Sequence, residues 1–260
     1  MLRMTYVRMT GLTWPDAKEL QGAIGLVPTG AIEQHGPHLP LATDCFIAEE
    51  LARRVAERID ERVVVAPALP GGLSSHHLAF PGTVTLPEEA FAAVLDAYVA
   101  AFERMGIHRI AVFTGHGGNF GFLGRYEAAH AERGTETRLI AHHDFEGYVD
   151  AMSAGAVEAG LEPAASDVHA GGIETSQGLA LFPELVRPHA NLTGYVTGDV
   201  GWQDRMYSEG IQAVTPIGVL GDPSNASAEA GEAIFAHLTD HLVNWIEVGL
   251  SLPMGAHSKS

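Results

Sequence analysis

Three short segments concentrate side chains able to bind cations and move protons. The first, PTGAIEQHGPHLPLATD over 28–44, carries Glu33, His35 and Asp44. The second, TGHGGN over 114–119, carries His116, and the third, DVHAGGIETS over 167–176, carries His169 and Glu174. Imidazole nitrogens mixed with carboxylate oxygens suit Zn²⁺, Mn²⁺ or Fe²⁺. Glu33 and His35 are two residues apart, so in an extended segment both side chains leave on one side. Pro37 and Pro40 stiffen that loop. Five ligands, Glu33, His35, Asp44, His116 and Glu174, are too many for one open catalytic ion. They suit two ions about 3.5–4 Å apart that share a bridging carboxylate. Three carboxylates contribute −3 and two divalent ions +4, leaving positive charge for a hydroxide or a developing oxyanion.

Each segment also has a plainer reading. Asp44 suits the first turn of a helix, where a carboxylate meets the positive end of the dipole. TGHGGN precedes a helix and resembles a phosphate cradle, although neither GxGxxG nor GxxxxGK[ST] is present. Glu174 suits a helix start. His38 reads as a hydrogen-bonded loop residue and Cys45 as buried packing. Ser75 and Ser176 lie outside any GxSxG elbow and are poor nucleophile candidates.

The rest of the sequence limits the alternatives. The chain has 260 residues, with 15 Lys and Arg against 32 Asp and Glu, a net charge of −17. That excess disfavours nucleic acid and anionic membrane surfaces, which attract basic residues. The single Cys45 excludes an intrachain disulfide or a multi-cysteine metal site. No apolar run reaches membrane-span length and no apolar leader opens the chain, so a cytoplasmic protein is expected.

The elements that must position these residues alternate short apolar runs with longer amphipathic stretches. This is the pattern of a mostly parallel α/β sheet. Strands are predicted over 23–28, 61–66, 109–114, 137–141 and 211–220. Helices are predicted over 45–60, 86–105, 119–133, 174–182 and 226–250, with Asn119 as an N-cap. No composition shift divides the chain, so residues 1–260 read as one domain. The loops after the first and third strands leave the same edge of the sheet, where open parallel sheets bind ligands.

Two further segments, SHHLAFPGTVTL over 75–86 and GVLGDPSNASAEAGE over 218–232, complete a set of five motifs. In this order, over about residues 20–245, the chain resembles the creatininase (creatinine amidohydrolase) family. The resemblance implies a three-layer α/β/α sandwich, a two-metal hydrolytic centre with Zn, Mn or Fe, and a homo-oligomer, commonly a hexamer. It implies Glu33 and His116 on one ion, His35 on the other and Asp44 as the bridge. His169 matches a substrate-contacting histidine that aids proton transfer. His77, Gly117 and Gly118 fall in loops expected to touch substrate. The chain departs from the namesake enzymes at Gly118, where they carry a metal-binding glutamate; Glu174 is the nearest replacement. The segment before His169 also lacks their tryptophan, so creatinine is not the expected substrate. Other branches hydrolyse a formamide on a pyrimidine nucleotide, a short modified peptide in mycofactocin maturation, or an oxidised cyclitol ring. The motif loops contain no Lys or Arg, which disfavours the nucleotide. A metal-assisted hydrolase of a C–N bond in a small molecule or short peptide is the leading expectation. A single-metal hydrolase or lyase and a non-catalytic metal protein are the alternatives.

Overall fold

The computed structural model describes residues 6–251. Five strands form one sheet in the order β1-β3-β2-β4-β5, and every pairing is parallel. They are β1 (Tyr6–Arg8), β2 (Ile24–Thr29), β3 (Val63–Val65), β4 (Arg109–Thr114) and β5 (Arg138–Ala141). The helices are α1 (Trp14–Ala17), α2 (Thr43–Arg58), α3 (Glu88–Arg104), α4 (Phe120–Glu132), α5 (Phe145–Glu158), α6 (Gly172–Leu181), α7 (Trp202–Glu209) and α8 (Ala228–Ser251). No helix among the described residues is long and apolar enough to cross a membrane.

A parallel sheet must be covered on both faces, and two apolar clusters cover this one. Ile24, Leu26 and Phe113 on one face pack with Leu51 of α2, Met152 of α5 and Ile234 and Leu238 of α8. Val27, Val64 and Val112 on the other pack with Phe91 and Phe102 of α3 and Leu123 of α4. The result is the mostly parallel α/β sheet that the alternating pattern predicts, in the three-layer α/β/α arrangement that the family resemblance implies. Pro28 lies in a central strand without breaking it. Its carbonyl accepts from the Leu69 N–H on the β3 side, beyond Val65, the last β3 residue paired to β2. The missing N–H therefore removes no rung of the ladder.

The run at 211–220 is not a strand. Ile211–Ala213 forms a 3₁₀ turn, and Leu220 makes only isolated bridges to His169 and Tyr195. Ile211, Val219 and Leu220 are buried as apolar loop residues, because Pro216 and the positive φ of Gly218 (74°) interrupt any pairing. Asn119 stands at the start of α4, but its side chain does not cap the helix. Instead its amide nitrogen donates to the Gly30 carbonyl and the Thr114 hydroxyl, and its oxygen accepts from the Leu73 N–H. Asn119 therefore ties the loops after β2, β3 and β4 together.

β2 and β4 are neighbours, with Thr29 opposite Thr114, yet their outgoing connections lead to β3 on one side and β5 on the other. This is the switch point at which a parallel sheet opens a crevice at its carboxyl edge. The residues just past the two strand ends are glycines pressed against one short stretch of backbone. A Cβ on Gly30 would lie 2.7 Å from the Cys45 nitrogen, and one on Gly115 would lie 2.7 Å from the Asp44 carbonyl oxygen. The first turn of α2 is thereby held directly over the crevice. Gly115→Ala should lower unfolding stability by about 1–3 kcal/mol, as overpacked sites do, in denaturant titrations. An unchanged midpoint would show that the contact is slack.

Candidate active site

Glu33 and His35 hang from the loop after β2, and Asp44 sits in the first turn of α2. His116 follows β4, His169 lies just before α6, and Glu174 is in the first turn of α6. These elements bring all six side chains into one cluster, in which Glu33, His35, Asp44, His116 and His169 are buried. His35 Nε2 lies 2.8 Å from Asp44 Oδ1 and 3.6 Å from Glu174 Oε2. His116 Nδ1 lies 3.2 Å from Asp44 Oδ2 and 3.3 Å from Glu33 Oε1. His169 Nδ1 is 3.6 Å from Glu33 Oε1 and 4.0 Å from Glu174 Oε2. His77 Nε2 is 3.4 Å from Glu33 Oε1.

The supporting contacts orient the rings. His35 Nδ1 donates to the Glu33 carbonyl at 3.1 Å, and His116 Nε2 to the Leu73 carbonyl at 3.3 Å. In both rings the other nitrogen faces the carboxylates. An imidazole whose far nitrogen is anchored on a carbonyl is the usual form of a metal ligand. Asp167 supports α6: its carboxylate accepts from the N–H groups of Gly172 and Ile173. Between Asp167 and Gly172, Ala170 holds φ at +54° and donates its N–H to Glu174 Oε2 at 2.6 Å. A left-handed alanine costs about 1–2 kcal/mol, so α6 and its cap impose this turn to aim His169 and Glu174.

Burial and charge act in opposition across the cluster. Burial alone would lower His35, but Asp44 and Glu174 outweigh it and push its pKa up to about 10. Burial also opposes protonation of His116, yet Glu33 and Asp44 raise it well above the usual imidazole range. Asp44 is held well below the usual carboxylate range, burial being outweighed by His35 and His116. Burial lifts Glu174 to about 7 despite His35. His77 and His169 are pushed far down by burial and by neighbouring imidazoles, so both are neutral.

Gly118 is closed to any side chain. A Cβ there would lie 2.4 Å from the Leu73 carbonyl and 2.5 Å from His116 Nε2, the two atoms that orient His116. The neighbouring carboxylate that reaches His35 comes from Glu174 instead. The remaining sequence candidates fall into place around the cluster. His38 is buried with Nε2 on the Thr175 hydroxyl at 2.8 Å. Cys45 is buried and donates to the Ala31 carbonyl; burial raises its thiol to about 12. Ser176 donates to the Gly172 carbonyl inside α6.

A cleft of about 320 Å³ opens above the cluster, within the range of small-ligand sites. His77, Gly117 and Gly118 line it. So do Trp202, Asp204, Met206 and Tyr207 of α7, a helix not anticipated from the sequence. Gln34, also not anticipated, lies 4 % exposed beneath the cleft and bonds both His77 and His169. The EQH run contained it, but no spacing rule separates it from an ordinary loop glutamine.

With the geometry established, comparison with known proteins identifies the lineage. Residues 10–246 match the family model Creatininase, described as creatinine amidohydrolase. The mycofactocin precursor peptide peptidase of Mycolicibacterium smegmatis is 35 % identical over 246 residues, covering 91 % of this chain and 92 % of that protein. The creatinine amidohydrolase of Pseudomonas putida is 31 % identical over 247 residues, covering 86 % and 89 %. A solved structure described as "Creatininase Mn" superposes with a TM-score of 0.73 at 26 % identity, over 95 % of this chain and all of that one. The chain belongs to the creatininase family of metal-dependent amidohydrolases.

Proposed function

We propose that the chain hydrolyses a C–N bond in a short peptide, with two divalent ions that Glu33, His35, Asp44, His116 and Glu174 would hold. The observation that carries the two-ion reading is a set of buried, unpartnered oxygens. Glu33 Oε1, Glu33 Oε2 and Asp44 Oδ2 have no hydrogen-bond partner, although His116 Nδ1 approaches Glu33 Oε1 and Asp44 Oδ2. Buried carboxylate oxygens left in this way need a cation. Asp44 directs Oδ1 toward His35 and Oδ2 toward His116, so one carboxylate serves both halves of the cluster. Glu33 and His116 would hold one ion, and His35 and Glu174 the other. Zn²⁺ and Mn²⁺ fit this donor set.

Bound there, divalent ions supply Lewis acidity that polarises a carbonyl and acidifies a water. The chain's own residues do the rest. The water oxygen forms a bond to the carbonyl carbon, and the C–N bond breaks to give an acid and an amine. Neutral His169, with Nδ1 toward the carboxylates, accepts a proton from the water and delivers it to the departing nitrogen. Gly117, where a Cβ would meet nothing nearer than Phe145 at 3.7 Å, leaves room for the substrate backbone. Trp202, Met206 and Tyr207 give the cleft an apolar wall. No Lys or Arg lines the cleft, so no side-chain cation recognises a phosphate there. That supports a peptide or cyclic amide over a nucleotide, and the likeness to the mycobacterial peptide peptidases supports the peptide. Leu41, Leu78 and Val84 are exposed apolar side chains and fit a contact with a second copy of the chain.

Chelated protein refilled with Zn²⁺ or Mn²⁺ should take up two ions per chain by elemental analysis, and His35→Ala about one. One ion in the unaltered protein would favour the single-metal alternative; full turnover without any ion would end the metal reading. Free ion at about 100 times its Kd should add about 2.7 kcal/mol of unfolding stability, measured by denaturation with and without chelator. In an activity screen of short peptides, cyclic amides, formamides and oxidised cyclitols, peptides should be cleaved, and His169→Ala should lower kcat by about 10²- to 10⁴-fold. Turnover of a non-peptide alone would overturn the substrate assignment.

A further inference from the structure

Gln34 fixes the hydrogen positions of two histidines that face the cleft. Its Oε1 accepts from the Gly36 backbone N–H at 2.9 Å, which sets the orientation of the amide. Nε2, the donor end, therefore points at His77 Nδ1 (2.9 Å), His169 Nε2 (2.9 Å) and the Gly218 carbonyl (3.2 Å). His169 Nε2 also lies 2.8 Å from the Gln34 backbone carbonyl. One arrangement satisfies every buried group. The two amide hydrogens of Gln34 go to His77 Nδ1 and Gly218 O. His169 Nε2–H goes to the Gln34 carbonyl, for which no backbone donor is found among the described residues. If His169 Nε2 accepted instead, that buried carbonyl would lose its donor, and either His77 Nδ1 or Gly218 O would lose its own.

We infer that Gln34 is a positioning residue that presents His77 to the cleft as an N–H donor and His169 as a lone pair. Both rings carry hydrogen on Nε2, but they face the cluster with opposite ends. His77 turns Nε2–H toward Glu33, and His169 turns bare Nδ1 toward Glu33 and Glu174. As ligands, His35 and His116 would likewise turn a lone pair inward with a carbonyl-anchored N–H behind them, so of these four imidazoles only His77 would turn an N–H toward the carboxylates. A donor at the cleft stabilises the negative oxygen that develops on an attacked carbonyl. An acceptor takes the proton of the attacking water. The two tasks fall to different histidines because one glutamine touches both. This division rests on the hydrolytic reading above, whereas the hydrogen positions do not depend on it.

The test is ¹⁵N NMR of histidine-labelled, Zn²⁺-loaded protein. His77 and His169 should each show a protonated-type Nε2 and an unprotonated-type Nδ1. Gln34→Glu places an acceptor at His77 Nδ1 and should move its hydrogen there, while His169 keeps its own on Nε2. With a cleaved substrate, kcat of this variant should fall about 10- to 100-fold, as with lost supporting bonds in metal sites, with KM little changed. A His77 hydrogen on Nδ1 in the unaltered protein overturns the assignment, even if Gln34→Glu fails to fold. An unmoved His77 hydrogen or an unchanged kcat in the folded variant also overturns it. If no tested substrate is cleaved, the hydrolytic reading fails while the spectra still decide the hydrogen positions.

Discussion

Three carboxylates, Glu33, Asp44 and Glu174, meet below the surface with imidazoles as their only side-chain partners, and Glu174 accepts one backbone N–H from Ala170 as well. Removing each charge from water costs several kcal/mol even after relaxation. No Lys or Arg offsets them among the described ion pairs, so the cluster is stable only if positive charge is supplied. Glu33, Asp44 and Glu174 raise the proton affinity of His35 and His116, the same negative charge that a divalent ion would meet. This unmet charge is the constraint to which the surrounding structure answers. Asn119, Asp167, the Leu73 carbonyl and the turned Ala170 all hold the anions or their imidazole partners close together.

The fold makes such crowding feasible through its topology. Strands that diverge from one point leave a crevice in which loops from distant parts of the chain meet without crossing. Glycines at both strand ends admit the first turn of α2, and with it the charge of Asp44, between them. The rings of His35, His116 and His169 and the Asn119 amide each donate to a backbone carbonyl. The site is therefore as rigid as the sheet edge on which it stands, which suits groups that must be held in place before a substrate arrives.

Much of this was legible in the sequence, for specific reasons. β2 and β4 are buried on both faces and read as continuous apolar runs. Glu33, His35, Asp44 and His116 lay in loops whose glycines and prolines marked them as constrained. Other features carried no signal. β1 is three residues long, too short for any pattern. α5 includes Gly147 and Gly155, which disguise its helical period. The run ending at Leu220 looked like a strand because burial in a loop and burial in a sheet select the same apolar residues. Gln34 was hidden because its importance lies in partners 43 and 135 positions away.

The wall of the cleft has a separate origin from its floor. Trp202, Met206 and Tyr207 come from α7, well removed along the chain from the loops that hold the acidic groups. Trp202 and Met206 root in their own small apolar patch with Ile211 and Leu220. Replacing residues there reshapes the space above the floor without altering the balance of ionic charge beneath it. One reaction centre can in this way be fitted with different ceilings, because the side chains that would select a substrate and those that would carry the charge lie on separate stretches of the chain.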